Sequence, residues 1–379
     1  MKRMLPFGMT VLVLVYTILF LSVESEWEIL GLLLAGGLAV FGASRLGWTA
    51  TQSAGPGAGE NLTNLMAVAG VVAIALYFHD DHFTLLMVTK VLLYVIVCLG
   101  LNIQFGYAGI PNFSGAAFFG TGSYTAAVLL MHTPLPPVVV LFLGGCMAAL
   151  IGSLLILPIL RTTGHYAALI TIAFAILFKT FLEVNDVLGG PQGLNVKGMS
   201  LLGWNFNENF QIGSLEGSFY LSYVALALVL AVLAFAFTRR IERSWIGLNL
   251  DAVRLDETAS ACFGINIALW KIIAFTLGNF LIGIAGSLSA MMTGFIAPNN
   301  FTFSESLILV SIILLGGIGN IWGLVVGSAF VLLLPEKLQA IQEYRSLLFS
   351  ITVILILLFR PGGLLPRSIR FYFPVRSSR

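Results

Sequence analysis

The sequence predicts an all-α polytopic membrane protein, and three observations lead there. Hydrophobic residues make up 58% of the 379-residue chain and charged residues only 9%, against about 25% charged in a soluble domain. Mean hydropathy is +0.98. Apolar runs long enough to cross a bilayer recur along the whole length, separated by polar segments. This balance excludes a soluble enzyme. A net charge of +2 is too small to imply a nucleic-acid partner, and the basic residues gather instead in a few loops, where they report topology. Cys98, Cys146 and Cys262 are too far apart for a metal motif or a disulfide framework and read as packing thiols.

Taken in order, Lys2 and Arg3 precede an apolar run over 7–23. The run is long for a cleaved signal and lacks a small-x-small cleavage site, so it reads as a retained span with a cytoplasmic start. A second span, 29–46, returns to Arg45. Residues 1–47 therefore read as an extra N-terminal transmembrane pair, joined by a Gly/Ser-type linker at 48–61 to a core over 62–365. Spans three and four fall at about 62–78 and 83–101. His79-Asp80-Asp81-His82 between them reads as a metal site or as a polar turn; adjacent residues cannot all face one ion, which favours the turn. Lys90 lies in span four and can snorkel outward.

Gly100, Gly106, Gly109, Gly115, Gly120 and Gly122, with Pro111 among them, interrupt the next span. Irregular backbone at membrane depth must be covered by protein or line a cavity. One reading is a broken or re-entrant segment beside a solute path, with Asn102, Gln104, Gly106, Gly109, Asn112 and Ser114 lining it. The other is close helix packing through small residues. Both stand.

Further spans are expected at about 136–159, 164–182, 219–238, 269–292, 303–315, 324–334 and 347–359, with a long polar loop at 183–218 and a basic tail at 366–379. About twelve transmembrane helices result. Both termini are then cytoplasmic, every basic loop shares their face, and most acidic loops lie opposite. Paired breaks near 100–122 and 278–323 hint at an inverted repeat. Lys90, Lys179, Lys271 and Glu305 all sit near span ends. The spans thus lack the central carboxylate or histidine of an ion-driven transporter. No Gly-x-x-x-x-Gly-Lys-Ser/Thr loop, nucleophile–base pair or metal cluster is present, so no cofactor is expected and active transport must draw energy from another chain.

The polar stretch 239–268 is where that energy would enter. Its core, 250–263, reads as a short amphipathic surface helix. Leu250, Val253 and Ala261 fit one apolar face, Asp251, Arg254 and Glu257 lie elsewhere, and Gly264 stands where the helix should stop.

Glu257-Thr-Ala-Ser-Ala-Cys-Phe-Gly264 resembles the EAA loop of ABC importer permeases: an acidic residue, small residues including Ala259, and Gly seven positions on. The fuller pattern resembles the LivM-type branched-chain amino acid permeases. It comprises Ser244-Trp-Ile-Gly247, Gly100-Leu-Asn102, Gly106-Tyr-Ala-Gly109, Ala116-Ala-Phe-Phe-Gly120-Thr-Gly122-Ser-Tyr124, Gly164-His-Tyr166, Gly189-Gly190-Pro191, Leu315-Gly316-Gly-Ile-Gly319-Asn-Ile-Trp322-Gly323 and Phe359-Arg360-Pro361-Gly-Gly363, in family order over about 90–365. Two departures stand out: Gly109-Ile-Pro-Asn-Phe-Ser-Gly115 replaces the family's usual segment, and Leu248 replaces a basic residue after the loop glycine.

The resemblance implies a multi-pass permease of the bacterial inner (plasma) membrane. Its implied partners are a homologous second permease, ABC ATPase subunits that bind the ATP, and a periplasmic solute-binding protein. It further implies import of branched-chain or other neutral amino acids, with urea or short amides as an alternative and an ion-coupled secondary transporter as the reading from another class. Arg254, Glu257, Ala259 and Gly264 would form the ATPase coupling site.

Overall fold

The computed structural model describes residues 58–162, 166–201, 203–208, 210–212, 215–337, 362–365 and 367, with isolated positions at 19, 20, 22, 31, 347, 350, 351, 354 and 358. The expected spans 7–23, 29–46 and 347–359, most of the linker 48–61, and the tail 366–379 apart from Arg367 lie outside the described residues.

The helices in order are α1 (Ala58–Tyr77), α2 (His82–Asn102), α3 (Gly115–His132), α4 (Pro137–Leu160), α5 (Tyr166–Val184), α6 (Tyr220–Arg243), α7 (Trp245–Leu255), α8 (Glu257–Cys262), α9 (Ile267–Thr293), α10 (Phe303–Gly316) and α11 (Ile321–Lys337). Among the described residues six helical segments are long and apolar enough to cross a membrane, and α1 and α11 contain shorter apolar stretches. The helical centres follow the expected spans closely because each is set by an apolar run bounded by polar residues.

The turn 79–82 shows why α2 starts where it does. Asp81 caps the helix, its carboxylate accepting from the backbone N–H of Phe83 and Thr84 at 3.0 and 3.3 Å. His82 instead pairs with Ser218, and the Ser218 N–H donates to the His79 carbonyl at 2.9 Å. The His-Asp-Asp-His run is a cap and a tether to the far loop.

α9 is the central post, packed along α4, α3 and α2. Its buried residues run from Trp270 through Phe275, Asn279 and Ile282 to Met292 and surround the helix over 281–288, as expected where a helix is enclosed by others. In lipid there is little hydrophobic drive between helices, so van der Waals fit holds them together. A Cβ at Gly100 would lie 2.5 Å from the Gly278 carbonyl oxygen, and one at Gly122 would collide with the Gly283 backbone. Here the small-residue reading of the glycines is correct. α3 is rich in Gly, Ser and Thr and is not among the six apolar segments. It is enclosed by α4, α9 and α10, so it needs no oily exterior.

The break itself is also present. α2 passes into a π-helical turn at Ile103–Tyr107, then non-helical backbone runs to α3. Gly109 adopts φ +70, a conformation that disfavours any Cβ.

The loop 183–218 is folded, which the sequence reading did not foresee. β1 (Leu194–Asn195) pairs antiparallel with a strand at Phe295–Ile296. Short hairpins join β2 (Ser200–Leu201) to β3 (Trp204–Asn205) and β4 (Phe210–Ile212) to β5 (Leu215–Gly217). The buried Tyr223 hydroxyl accepts from the Met199 N–H at 3.0 Å and lies 2.9 Å from Asn207 Oδ1.

Glu305 requires a correction. It stands near the start of α10 but not at the edge of the bundle: its carboxylate lies 3.5 Å from the Tyr94 hydroxyl, and Tyr94 is about 18 Å along α2 at 1.5 Å per residue. α10 therefore begins partway along its neighbour, because the loop before it dips inward and buries Phe301 beside Tyr124 and Phe119.

Candidate functional site

The segment between α6 and α9 is shaped by four caps in sequence. Ser244 accepts from the Ile246 N–H at 3.2 Å and starts α7. Asp256, extended at φ −157 and ψ 110, ends α7 and caps α8, accepting from the Ala259 N–H at 2.9 Å. Gly264, at φ +78, closes α8, with its own N–H on Ala261 O and the Ile265 N–H on Ser260 O, at 2.9 and 3.1 Å; this is the paired-bond C-terminal motif that favours glycine. Asn266 accepts from the Leu269 N–H at 3.1 Å and starts α9.

The single helix expected over 250–263 is thus two helices. Asp256 offers its side chain to the following backbone amides, which competes with continuing the helix. Leu250 and Val253 are buried as expected, but the break resets the phase, so Ser260 is buried and Ala261 exposed.

Two internal ties hold this segment. Lys271 Nζ pairs with Glu257 Oε1 at 2.7 Å, joining α8 to α9. Arg254 Nη1 donates to the Gly106 carbonyl at 2.6 Å. Burial and the nearby Arg367 pull the Arg254 guanidinium below its ordinary pKa, and Asp251 opposes them. Arg367 donates to both Asp251 oxygens at 2.8 Å and to Gly106 O at 3.2 Å, and its guanidinium lies 5.2 Å from the Tyr107 ring centroid. Glu257 and Arg254 therefore have partners within the chain. The exposed face carries Leu255, 84% exposed, and Phe263, 86% exposed, alongside the polar Arg254, Asp256, Glu257 and Thr258. Ala259 shares that exposed surface.

Gly106 leads to the second group. Asn102, Gln104, Asn112 and Ser114 are all fully buried. Asn112 Nδ2 donates to Gln104 Oε1 at 2.6 Å. Gln104 Nε2 donates to Asn279 Oδ1 at 3.0 Å and to Phe275 O at 3.1 Å. The Ser114 N–H donates to Asn112 Oδ1 at 2.9 Å. Asn102 Oδ1 accepts from the Gly319 N–H at 2.9 Å, fixing the turn between α10 and α11. Thr171 and Ser306 receive the Phe113 and Ala116 N–H groups at 3.1 and 3.0 Å. Backbone N–H groups after the break thus go to side chains of α5, α10 and the segment itself, while Asn279 of α9 pairs with the Gln104 amide, as a low-dielectric interior requires. Asn102 Nδ2 and Asn279 Nδ2 are buried donors with no hydrogen-bond partner.

The two groups of residues read separately from the sequence are contiguous. Gly109 is exposed, and a Cβ there would lie 3.1 Å from Arg254 Cγ. The sequence reading missed Asn279, Asp251 as a pairing residue, and Arg367. Asn279 carried one signal, a lone amide in the apolar run of α9. A cavity of about 450 Å³ opens at the opposite end of the bundle, lined by Thr133, Lys197, Asn205, Asn207 and Glu208 among others. Among the described residues no three His, Cys, Asp or Glu side chains gather to hold a metal.

The sequence model of the family described as "Branched-chain amino acid transport system / permease component" matches residues 83–357. The chain is 31% identical to the high-affinity branched-chain amino acid transport system permease protein LivM of Escherichia coli, over 78% of this chain and 73% of that protein. It is 27% identical to a probable LivM of Methanocaldococcus jannaschii, over 72% of this chain and 90% of that one. It is 25% identical to the permease protein LivH of Salmonella typhimurium, over 77% and 96% respectively. No solved structure gives a significant match. The chain is a multi-pass membrane protein and belongs to the family of branched-chain amino acid transport system permease components.

Proposed function

We propose that this chain is a transmembrane subunit of an ATP-driven importer for branched-chain or other neutral amino acids in a bacterial inner membrane. It would work with a homologous second permease, ABC ATPases and a periplasmic binding protein. The observation that carries this reading is the α7–α8 unit, a capped and tethered element with Leu255 and Phe263 held out from the protein. Such large apolar side chains held out on a capped, tethered element suit a contact with another protein. Arg161, Arg239, Arg240, Arg243, Arg254 and Arg367 share that end of the bundle, whereas Asp80, Asp81, Asp186 and Glu208 share the other. By the positive-inside rule the α7–α8 end faces the cytoplasm. With about twelve spans, both termini lie there too.

ATP would close the ATPase pair, move α7–α8 as a lever, and rock α6 and α9. The folded loop around 194–217 would meet the binding protein. Vesicles reconstituted with both permeases, the ATPases and the binding protein should concentrate leucine when ATP is supplied. Phe263→Ser should retain its melting temperature and lose co-purification with the ATPase. Accumulation without the ATPase, driven by an ion gradient, would overturn the reading in favour of a secondary transporter. Preferential uptake of urea would replace the substrate class.

A further inference from the structure

Resting on that importer reading, we propose that Arg254 and Arg367 form a two-armed clamp on the Gly106 carbonyl, which transmits displacement of α7–α8 to the break in α2. Arg254 is then a positioning residue for the break, not an ATPase contact.

The Gly106 carbonyl belongs to a buried glycine in the π-helical turn. The donors that would normally follow are missing: the Ile110 N–H goes to Gln104 O at 2.9 Å, and residue 111 is a proline without an N–H. A buried carbonyl in that position needs a donor from elsewhere. Two guanidinium groups supply it, Arg254 Nη1 at 2.6 Å and Arg367 Nη1 at 3.2 Å, in charge-assisted bonds stronger than neutral ones.

Both arms are themselves held. Arg254 lies on α7 next to Val253, which is buried. Arg367 Nη2 donates to both carboxylate oxygens of Asp251, one turn before Arg254 on α7, at 2.8 Å each. The backbone just before Arg367 is pinned to the end of α10, with the Leu364 N–H on Leu315 O at 2.7 Å. α7, the broken turn and the C-terminal strap thus meet at one oxygen atom. From there the amide cluster continues through Gln104 to Asn279 on α9. A shift of α7 must carry Gly106 with it or give up charge-assisted bonds.

The test uses the assembled complex in vesicles, with solute imported per ATP hydrolysed as the readout. Arg254→Gln should lower that ratio about tenfold while ATPase binding and hydrolysis stay near wild type, and Arg254→Lys, which keeps a cationic donor, should restore most of it. An unchanged ratio in Arg254→Gln overturns the clamp. So does a parallel loss of ATPase binding, which would make Arg254 a docking contact. Hydrogen exchange gives a readout independent of transport: Arg254→Gln and Arg367→Gln should each speed exchange at 104–110 and leave 257–264 unchanged. No change at 104–110 also overturns the clamp. A wild-type complex without ATP-dependent uptake would instead remove the importer reading and leave the exchange experiment to decide the clamp.

Discussion

The surface unit α7–α8 and the broken segment 102–114 sit side by side, yet they are specified in opposite ways. In α7–α8 the sequence acts locally: Ser244, Asp256 and Asn266 cap helices within three residues of themselves, and Gly264 ends one. In the broken segment almost every polar group finds its partner far along the chain: Gln104 on Asn279, Asn102 on Gly319, Phe113 on Thr171. The first region is partly exposed, over a buried side formed by Leu250, Val253 and Ser260. The second is buried in a medium with no water to substitute for a lost partner. The exposed segment is capped by short-range signals, and the buried break is held by long-range ones.

That contrast can be broken or sharpened by substitution, and the largest effect belongs to the buried side. Gly278→Val places a side chain 2.5 Å from both Gln104 Nε2 and the Gly100 carbonyl oxygen. Since backbone lies on one side, relaxation is blocked and the cost should exceed about 3 kcal/mol. Size-exclusion chromatography in detergent should recover little monodisperse protein. A wild-type yield would mean that α2 and α9 are not held at this approach.

Next comes Gln104→Leu, which strands Asn112 Nδ2 and Asn279 Oδ1 at about 1–3 kcal/mol for each unpaired group. Thermal melting in detergent should fall by several degrees. Adding Asn279→Leu should cost less than the sum of the two single changes, because it removes one of the stranded partners. Simple additivity would show that the two amides do not act as a unit.

On the exposed side the same measurements should separate. Gly264→Ala forces a Cβ into φ +78, where nothing lies within 4 Å of it, so the penalty is conformational and about 1 kcal/mol. Melting should barely move while ATP-dependent uptake falls. Gly264→Pro also removes the N–H that reaches Ala261 O and should abolish uptake with membrane insertion intact. A large drop in melting temperature for Gly264→Ala would blur the distinction between the two regions.

The smallest effect is expected from neutralising Glu257, which is about half exposed beside Lys271. Glu257→Gln should change stability by less than about 1 kcal/mol, with uptake only slightly reduced. Glu257→Lys should do more, because it sets two like charges against each other where α8 meets α9, and uptake should be lost while insertion is normal.

How legible each region was follows from the same contrast. The apolar runs marked α2, α4, α5, α6 and α9 to within a few residues, because lipid solvation acts on every residue of a span. The caps at Asp81 and Gly264 lie where local chemistry puts them. Within α7–α8, a short apolar periodicity suggested one helix and overlooked Asp256, whose own side chain makes the break. Glu305 looked marginal because sequence position does not reveal that the preceding loop descends into the bundle. Asn102, Gln104, Asn112 and Ser114 were found as polar residues in an oily setting, but nothing in their order showed that the last three bond to one another and Asn102 to the Gly319 N–H.

By itself, then, the sequence determined a membrane-embedded helical bundle, the places where its helices are capped or interrupted, and a polar surface segment set between two long spans. Those follow from lipid solvation and from hydrogen bonds that close within a few residues. Only the tertiary structure decided that Arg254 turns toward Gly106, that Arg367 arrives there from the far end of the chain, and that Asn279 completes the amide cluster. Each of these contacts joins residues more than a hundred positions apart, and such pairings are set by how the helices pack.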